Sequence, residues 1–323
     1  MRAATIREQQ VVVEERPDPV PGAGEVLVRV RAAGINGADM MQRRGLYPAP
    51  PGSPADIPGL ELAGEVVALG AGATRFAEGE RVMAIVGGGG QAELAVVHER
   101  QLMPVPASLG WTQAGGLPET FTTAHDAIFT QAGLRPGEHL LVHGGAGGVG
   151  TAAIQLGRAA GARVTATVRS EGARADVAAL GANAIAPDGF SEHGPYDVIL
   201  ELVGAPNLAD NLTALAAGGR VCVIGVAAGA KAELNLLALM GKRARIHGST
   251  LRARPLEEKA LAARALEREV LPLFQAGTGE PPGSGARPAL TVPVAETFPL
   301  EQAASAYDRF AAGGKLGKIV LAI

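Results

Sequence analysis

Hydrophobic positions in the first third of the chain recur in short runs with partial alternation. VVVEER (11–16), GEVLVRVRAAGI (24–35), ELAGEVVALG (61–70), ERVMAIV (80–86) and QAELAVVH (91–98) are rich in β-branched residues. Glycine and proline separate them, as in PGAG (21–24) and PAPPGSPADIPG (48–59). Such a pattern predicts short strands of a folded-over sheet or partial barrel. The rhythm changes near Pro118. Residues 119–132 carry apolar positions at helical spacing, and strands then alternate with helices. The strands read as HLLVHG (139–144), RVTATV (163–168), NAIAP (183–187), YDVILELVG (196–204), RVCVIG (220–225) and RIHGS (245–249), with helical segments near 150–160, 171–180, 207–217 and 233–242. Six strands in this order predict a doubly wound parallel sheet.

After Arg254 the pattern predicts a long helix from Pro255 to about Ala276, a Gly/Pro-rich loop over 277–288 and a strand over 289–294. A helix over 300–312 and a final strand over 317–323 follow. Strands like those of the first segment return at the end of the chain. The expected organisation is therefore an α/β protein with a discontinuous β-rich domain, 1–118 and 256–323, and a dinucleotide-binding domain over 119–255 inserted into it.

Composition narrows the function classes. The chain has 323 residues, 47% hydrophobic and 19% charged, enough for two cores and too apolar for a disordered chain. A net charge of −3 with no basic block favours small molecules over nucleic acid or an anionic membrane. The start, MRAATIREQQ, has no apolar core of a signal peptide, and no apolar run reaches the ~18 residues of a membrane helix. With one cysteine, Cys222, the chain has no intramolecular disulfide and no multi-cysteine metal site. A soluble cytoplasmic protein is the expectation.

The sharpest chemistry lies in LLVHGGAGGVGTAAIQLGRAAGARVTATVRS (140–170). Gly145-Ala146-Gly147-Gly148-Val149-Gly150 is a GxGxxG between a strand and a helix whose Val149, Ala152, Ala153, Leu156 and Ala160 form one apolar face. In that context Gly145 is expected to make the tight turn, Gly147 to let a pyrophosphate approach and Gly150 to let the helix pack on the strand. Free N–H groups at the helix start, Gly148 and Val149 among them, then face the phosphates. An NAD site ends its second strand in an acid that holds the ribose 2′-hydroxyl. Here the strand ends in Val168-Arg169-Ser170, with Arg174 one helical turn later. Arginine binds a 2′-phosphate that a carboxylate would repel, so NADPH is the expected cofactor. Position at strand ends adds Gly204, Gly225, Val226, Ser249 and Thr250 as cofactor candidates, each equally explained as turn chemistry.

These residues resemble the zinc-independent quinone oxidoreductase branch of the medium-chain dehydrogenase/reductase superfamily, the zeta-crystallin-like proteins. AAGINGADMMQRRGLYP (32–48), IPGLELAGEVVALGAG (57–72), GERVMAI (79–85), LPETFTTAHDAI (117–128), AGLRPGEHLLVHGGAGGVGTAAIQL (132–156), ILELVG (199–204), STLRARP (249–255) and GKIVL (317–321) carry the resemblance nearly end to end. LMPVP (102–106), LPETFTTA and STLRARP look closest to the sub-branch that contains the tumour-suppressor-inducible quinone oxidoreductase. The resemblance implies a GroES-like catalytic domain with a Rossmann domain. It places Asn36, Asp39 and Tyr47 at the active site near the nicotinamide, and Thr123 and Lys318 among the cofactor-binding residues. Asp39 as a helix cap and Tyr47 as a packing residue remain the competing readings.

Zinc relatives carry a cysteine after the AGI turn and a histidine in GHE, where this chain has Asn36 and Leu60, so no metal is expected. Departures from the branch are Ala173 beside Arg174, Pro187 after the third strand and Lys315 near the end. The implied activity is NADPH-dependent reduction of a quinone. Reduction of an enone or enoyl substrate, and a non-enzymatic NADPH-binding protein, are the alternatives. A homodimer is expected, paired through the sheet edge near 232–249, where LNLLALM (234–240) is an apolar run.

Overall fold

The computed structural model describes residues 1–275 and 290–323. The first strands form from short alanine- and valine-rich runs with charged residues at their ends. Arg2–Arg7 and Gln10–Glu15 make an antiparallel hairpin, the first of these being a strand that the apolar pattern did not mark. Glu25–Ile35 is the spine of a seven-stranded mixed sheet. It pairs antiparallel with Glu61–Leu69 and with Leu94–His98, while Arg81–Ile85 and Met103–Pro104 continue the sheet. The inward side chains Val26, Val28, Val30, Leu62, Val66, Val82 and Leu102 make its core.

The end of the chain belongs to this same sheet. Lys318–Ala322 pairs antiparallel with Glu25–Ile35, Ile319 opposite Ile35. Val294–Pro299 lies parallel beside it, joined through the helix Ala303–Ala312 as a parallel pair requires. Ile35, Met40, Leu300, Tyr307, Ile319 and Leu321 pack together there. This pairing makes the GroES-like domain discontinuous. By Cα proximity one unit comprises Met1–Thr122, Leu251–Gly313 and Lys318–Ile323, and a second comprises Thr123–Thr250 and Gly314–Gly317.

The second unit is a six-stranded parallel sheet. Its order is Asn183–Ile185, Arg163–Thr167, His139–Val142, Tyr196–Glu201, Leu215–Val223 and Arg245–Gly248. In sequence terms this is 3-2-1-4-5-6, the doubly wound Rossmann arrangement, with its switch between His139–Val142 and Tyr196–Glu201. Leu141, Ile199, Leu212, Leu215 and Val221 fill one face.

Several boundaries differ from the sequence reading. The strand expected over 289–294 forms instead at Val294–Pro299, in register with Lys318–Ala322; Leu290–Pro293 has no regular structure. The long helix breaks at Val270 into Leu256–Glu269 and Leu271–Gln275, because Pro272 cannot donate to a continuing helix. Ala276, the loop 277–288 and Ala289 lie outside the described residues. The helix over 119–132 changes type, with an α-helical Pro118–His125 followed by a π-helical Asp126–Gln131. The segment 207–217 leaves helix at Ala214, and its last residues open the strand Leu215–Val223. Among the described residues no helix is long and apolar enough to cross a membrane.

Candidate nucleotide site and buried polar cluster

In the Rossmann unit the strand His139–Val142 leads through the glycine-rich turn into the helix Gly148–Ala159. The tight turn belongs to Gly144, whose φ is +67°, and not to Gly145 as the spacing had implied. Gly145 is small for another reason. A Cβ there would lie 2.8 Å from the Ala166 Cβ on the neighbouring strand. At Gly150 a Cβ would lie 2.4 Å from the Gly144 carbonyl oxygen, so the helix meets its own turn only through glycine. Gly147 is the N-cap in extended conformation, and among the described residues no side chain caps the helix. The first backbone bond of the helix runs from Thr151 N to Gly147 O, 2.8 Å. The amides of Gly148, Val149 and Gly150 come before it and point off the helix start, where an anion is favoured. Gly317 N donates to Ala146 O, 2.8 Å, so the segment 314–317 pins the turn.

Under this turn lies a polar network that the sequence reading did not anticipate. The His143 imidazole bridges Thr167 Oγ1, 3.0 Å, and Asn211 Oδ1, 2.7 Å. Asn211 Nδ2 donates to Glu201 Oε2, 2.7 Å, and Glu201 Oε1 accepts from the backbone of Val203 and Gly204. The network therefore joins the carboxyl ends of three adjacent strands. Burial holds the His143 pKa below its ordinary value, against the pull of Glu201. The folded protein keeps this imidazole neutral, while the unfolded chain takes up a proton near pH 6.5. His143 thus stabilises the fold fully above about pH 6.5 and loses that contribution as pH falls through it. Thermal unfolding of the parent and of His143→Gln from about pH 8 to pH 5 should show a gap in Tm that narrows on acidification; a constant gap would contradict the neutral-imidazole assignment.

The second strand ends in Val168-Arg169-Ser170, with no acid before Glu171. Arg169 is exposed, as is Ser170. Arg174 is half-buried and reaches back, its Nε donating to Val168 O at 3.3 Å. Gly204 and Gly225 are glycines for packing reasons. A Cβ at Gly204 would lie 2.9 Å from Val226 Cα, and one at Gly225 would lie 2.5 Å from Leu202 O. Val226 is partly exposed beside them. Ser249 and Thr250 follow the edge strand, and Thr123 is buried on the helix Pro118–His125.

In the GroES-like unit Asn36, Asp39 and Lys318 come together. Asp39 is fully buried and accepts from Asn36 N, 2.8 Å, and from Gly59 N, 3.0 Å. It closes the start of the helix Gly37–Arg43 and ties it to the Gly59 turn, which is the capping role. Burial pushes its pKa up to about 6 in spite of those bonds. Lys318 Nζ donates to Ile35 O, 2.8 Å, and Asn36 Oδ1, 2.5 Å, and pairs with Glu61 Oε1 at 2.7 Å. An ammonium has three N–H donors, so Lys318 has none left for a cofactor. Glu61 also accepts from Asn36 Nδ2 and from Glu119 N at the start of Pro118–His125. Tyr47 stands apart from this group, with the Arg252 guanidinium 4.9 Å from its ring centroid. Arg252 is 4% exposed and donates to Gly87 O, Tyr47 O and Gln42 Oε1, all uncharged acceptors. Burial raises the Tyr47 pKa, with Arg252 opposing, so the phenol is protonated at neutral pH.

Residues 22–107 match the family model of the alcohol dehydrogenase GroES-like domain, and residues 148–267 that of zinc-binding dehydrogenase. A quinone oxidoreductase from Rattus norvegicus is 32% identical over 316 residues, 94% of this chain and 90% of that protein. The chain belongs to the quinone oxidoreductase branch of the medium-chain dehydrogenase/reductase superfamily. A crystal structure of an alcohol dehydrogenase superfamily protein from Novosphingobium aromaticivorans superposes with a TM-score of 0.86 at 30% identity, covering 100% of this chain and 99% of that one. A 208-residue stretch, 62% of this chain, is 39% identical to part of polyketide synthase GfsB from Streptomyces halstedii, of which it covers 4%.

The sequence marks no role for Glu61, Glu201 and Arg252, and marks His143 only as structural or exposed. Each lay inside a quoted motif: LELAGE, LLVHGG, ILELVG and STLRARP. An ionisable side chain in an otherwise apolar run was the available signal. Asn36 is held by Lys318 and Glu61, and Leu60 is 2% exposed.

Proposed function

We propose that this protein reduces quinones with NADPH, without zinc. The observation that carries the cofactor half is the glycine turn: a Cβ at Gly145 or Gly150 would meet neighbouring atoms at 2.8 or 2.4 Å, and the uncapped helix start presents its amides. Gly147, Gly148, Val149 and Gly150 would hold the pyrophosphate, and Arg174 and Arg169 the 2′-phosphate. Thr123, Ser170, Gly204, Gly225, Val226, Ser249 and Thr250 are the remaining cofactor candidates. The nicotinamide supplies a hydride. The protein's task is then to hold the acceptor and to limit water. Tyr47, protonated and beside the buried Arg252 cation, is the group suited to hydrogen-bond an acceptor oxygen on which negative charge develops. Asn36 and Asp39 act by holding the Gly37–Arg43 and Gly59 segments in place. Lys318 supports Asn36 and Glu61 rather than the cofactor.

The relatives named quinone oxidoreductase favour a quinone as acceptor. An enone is the second reading, favoured by the stretch shared with a polyketide synthase.

The cofactor preference is tested by titration. NADPH should bind more tightly than NADH, and Arg169→Ala with Arg174→Ala should narrow the difference by about 1–3 kcal/mol. Tighter binding of NADH by the parent would reject the 2′-phosphate assignment.

We also propose a homodimer. Leu236, Leu237 and Met240 on the helix Leu236–Lys242 are 63%, 79% and 69% exposed beside the edge strand Arg245–Gly248, a concentration of apolar surface that a second copy would cover. Light scattering should give the mass of two chains at micromolar concentration, and Leu237→Glu should shift it to one. A parent protein that is monomeric under those conditions would contradict the dimer.

A further inference from the structure

We propose that His143 is a positioning residue for the dinucleotide turn. Asn211 and Glu201 hold it as the Nε2–H tautomer, and in that form it turns the Thr167 hydroxyl so that it accepts from the Gly144 amide. The inference rests on the dinucleotide reading above and adds residues that reading does not use.

The direction of every bond in the buried network follows from its fixed end. Glu201 is 2% exposed and, as a carboxylate, only accepts. Val203 N and Gly204 N donate to its Oε1 at 2.7 and 2.8 Å. Its Oε2 lies 2.7 Å from the Asn211 side chain, and so faces the NH₂ of that amide and not its oxygen. The Asn211 Oδ1 is thereby turned toward His143, 2.7 Å from Nε2, and Nε2 must carry a proton. Burial keeps this imidazole neutral, which leaves Nδ1 as an acceptor. Nδ1 lies 3.0 Å from Thr167 Oγ1, so the threonine proton goes to it. The lone pairs of Oγ1 remain, and Gly144 N donates to them at 3.4 Å.

The chain of donors thus runs one way, from the Gly144 amide to the Glu201 carboxylate, and crosses the switch point of the parallel sheet. Its near end meets the turn where the turn is set. Gly144 has a φ of +67°, and its carbonyl accepts from Gly147 N at 3.0 Å, just ahead of the helix Gly148–Ala159. A rotation of the Gly144 peptide would carry Gly147 and the first helical amides with it. Thr167, His143 and Asn211 are all buried, so a partner lost from the chain is not replaced by bulk solvent.

Glu201→Gln reverses the chain. The new Oε1 still accepts from Val203 N and Gly204 N, but Nε2 donates to Asn211, whose amide must turn over. Asn211 Nδ2 then donates to His143 Nε2, and the neutral ring carries its proton on Nδ1. That N–H takes a lone pair of Thr167 Oγ1, and the threonine proton is left pointing away from any acceptor in the chain.

Nitrogen NMR of full-length protein carrying isotope-labelled histidine reads the tautomer, with His143→Gln identifying the His143 signals among the six histidines. The nucleotide-free parent should show Nε2–H, and Glu201→Gln should show Nδ1–H. In titrations with NADPH, Glu201→Gln and Thr167→Val should each bind about tenfold more weakly, the loss of one hydrogen bond at the turn. Thr167→Ser, which keeps the hydroxyl, should bind close to the parent. A parent with Nδ1–H, a Glu201→Gln variant with the parent's tautomer, or parent-like affinity in Glu201→Gln or Thr167→Val would each overturn the proposal. So would Thr167→Ser as weak as Thr167→Val, because shape and not the hydroxyl would then matter. If Glu201→Gln fails to fold, the parent's tautomer and the two Thr167 variants decide on their own. A parent that binds no NADPH would refute the dinucleotide reading and this proposal together, whereas the other failures leave that reading standing.

Discussion

Lys318→Ala is expected to be the most damaging single substitution in the GroES-like unit. It removes the ammonium that pairs with Glu61, at 2.7 Å, and Glu61 is fully buried. The carboxylate would then stand in an apolar interior beside the Asn36 amide and the Glu119 backbone N–H. Removing one partner of a buried ion pair costs about 3–5 kcal/mol, a large share of the stability of a typical domain. The midpoint of urea unfolding should fall accordingly. Replacing both partners, as Lys318→Met with Glu61→Gln, should recover much of the loss, because the stranded charge is gone. A single variant within about 1 kcal/mol of the parent would show that Glu61 is neutral or solvated in the folded state.

Gly150→Ala should have the largest effect on nucleotide binding. In a helix interior the change from glycine to alanine ordinarily stabilises by about 1 kcal/mol. Here the new methyl group would lie 2.4 Å from Gly144 O and 2.9 Å from Gly145 Cα, both backbone atoms that cannot swing aside. The helix Gly148–Ala159 must shift away from the turn, carrying its first amides with it. Overpacking of this kind costs about 1–3 kcal/mol, so the sign of the stability change reverses. Dinucleotide affinity should drop by about a hundredfold, two or more hydrogen bonds' worth of misplaced donors. Isothermal titration with NADPH checks this. Unchanged affinity would place the pyrophosphate somewhere other than this turn.

The parts of the molecule that were legible in the sequence are those set by periodicity. The alternation of His139–Val142, Arg163–Thr167 and Tyr196–Glu201 with helices gave the doubly wound sheet, since a buried parallel strand must be apolar throughout. The return of Lys318–Ala322 to the first sheet followed from its resemblance to the early strands. What escaped depended on contacts far apart in sequence. Whether Val294–Pro299 or the residues before it would pair is decided by the register of Lys318–Ala322, not by local pattern. Gly144 and Gly145 are indistinguishable in a run of glycines, and only the backbone shows that the positive φ belongs to the first.

The site was legible in the same uneven way. The glycine turn follows from local spacing. The resemblance put Asp39 at the active site rather than at a helix cap, whereas its bonds to Asn36 N and Gly59 N are those of the cap. The resemblance implied a cofactor role for Lys318, but a lysine's partner cannot be read from its neighbours. Its partner Glu61 lies 257 positions earlier in the chain. Arg252 meets Gly87, Tyr47 and Gln42 for the same non-local reason.

The central claim is that this chain passes a hydride from NADPH to a quinone without a metal. Steady-state cofactor oxidation by the parent protein, followed at 340 nm with a quinone and an enone in parallel and a chelator present, tests it most directly. The account predicts turnover with the quinone, a higher kcat/KM with NADPH than with NADH, and no loss of rate to the chelator. Cofactor oxidation that proceeds only with NADH, only with the enone, or only when zinc is restored would contradict it.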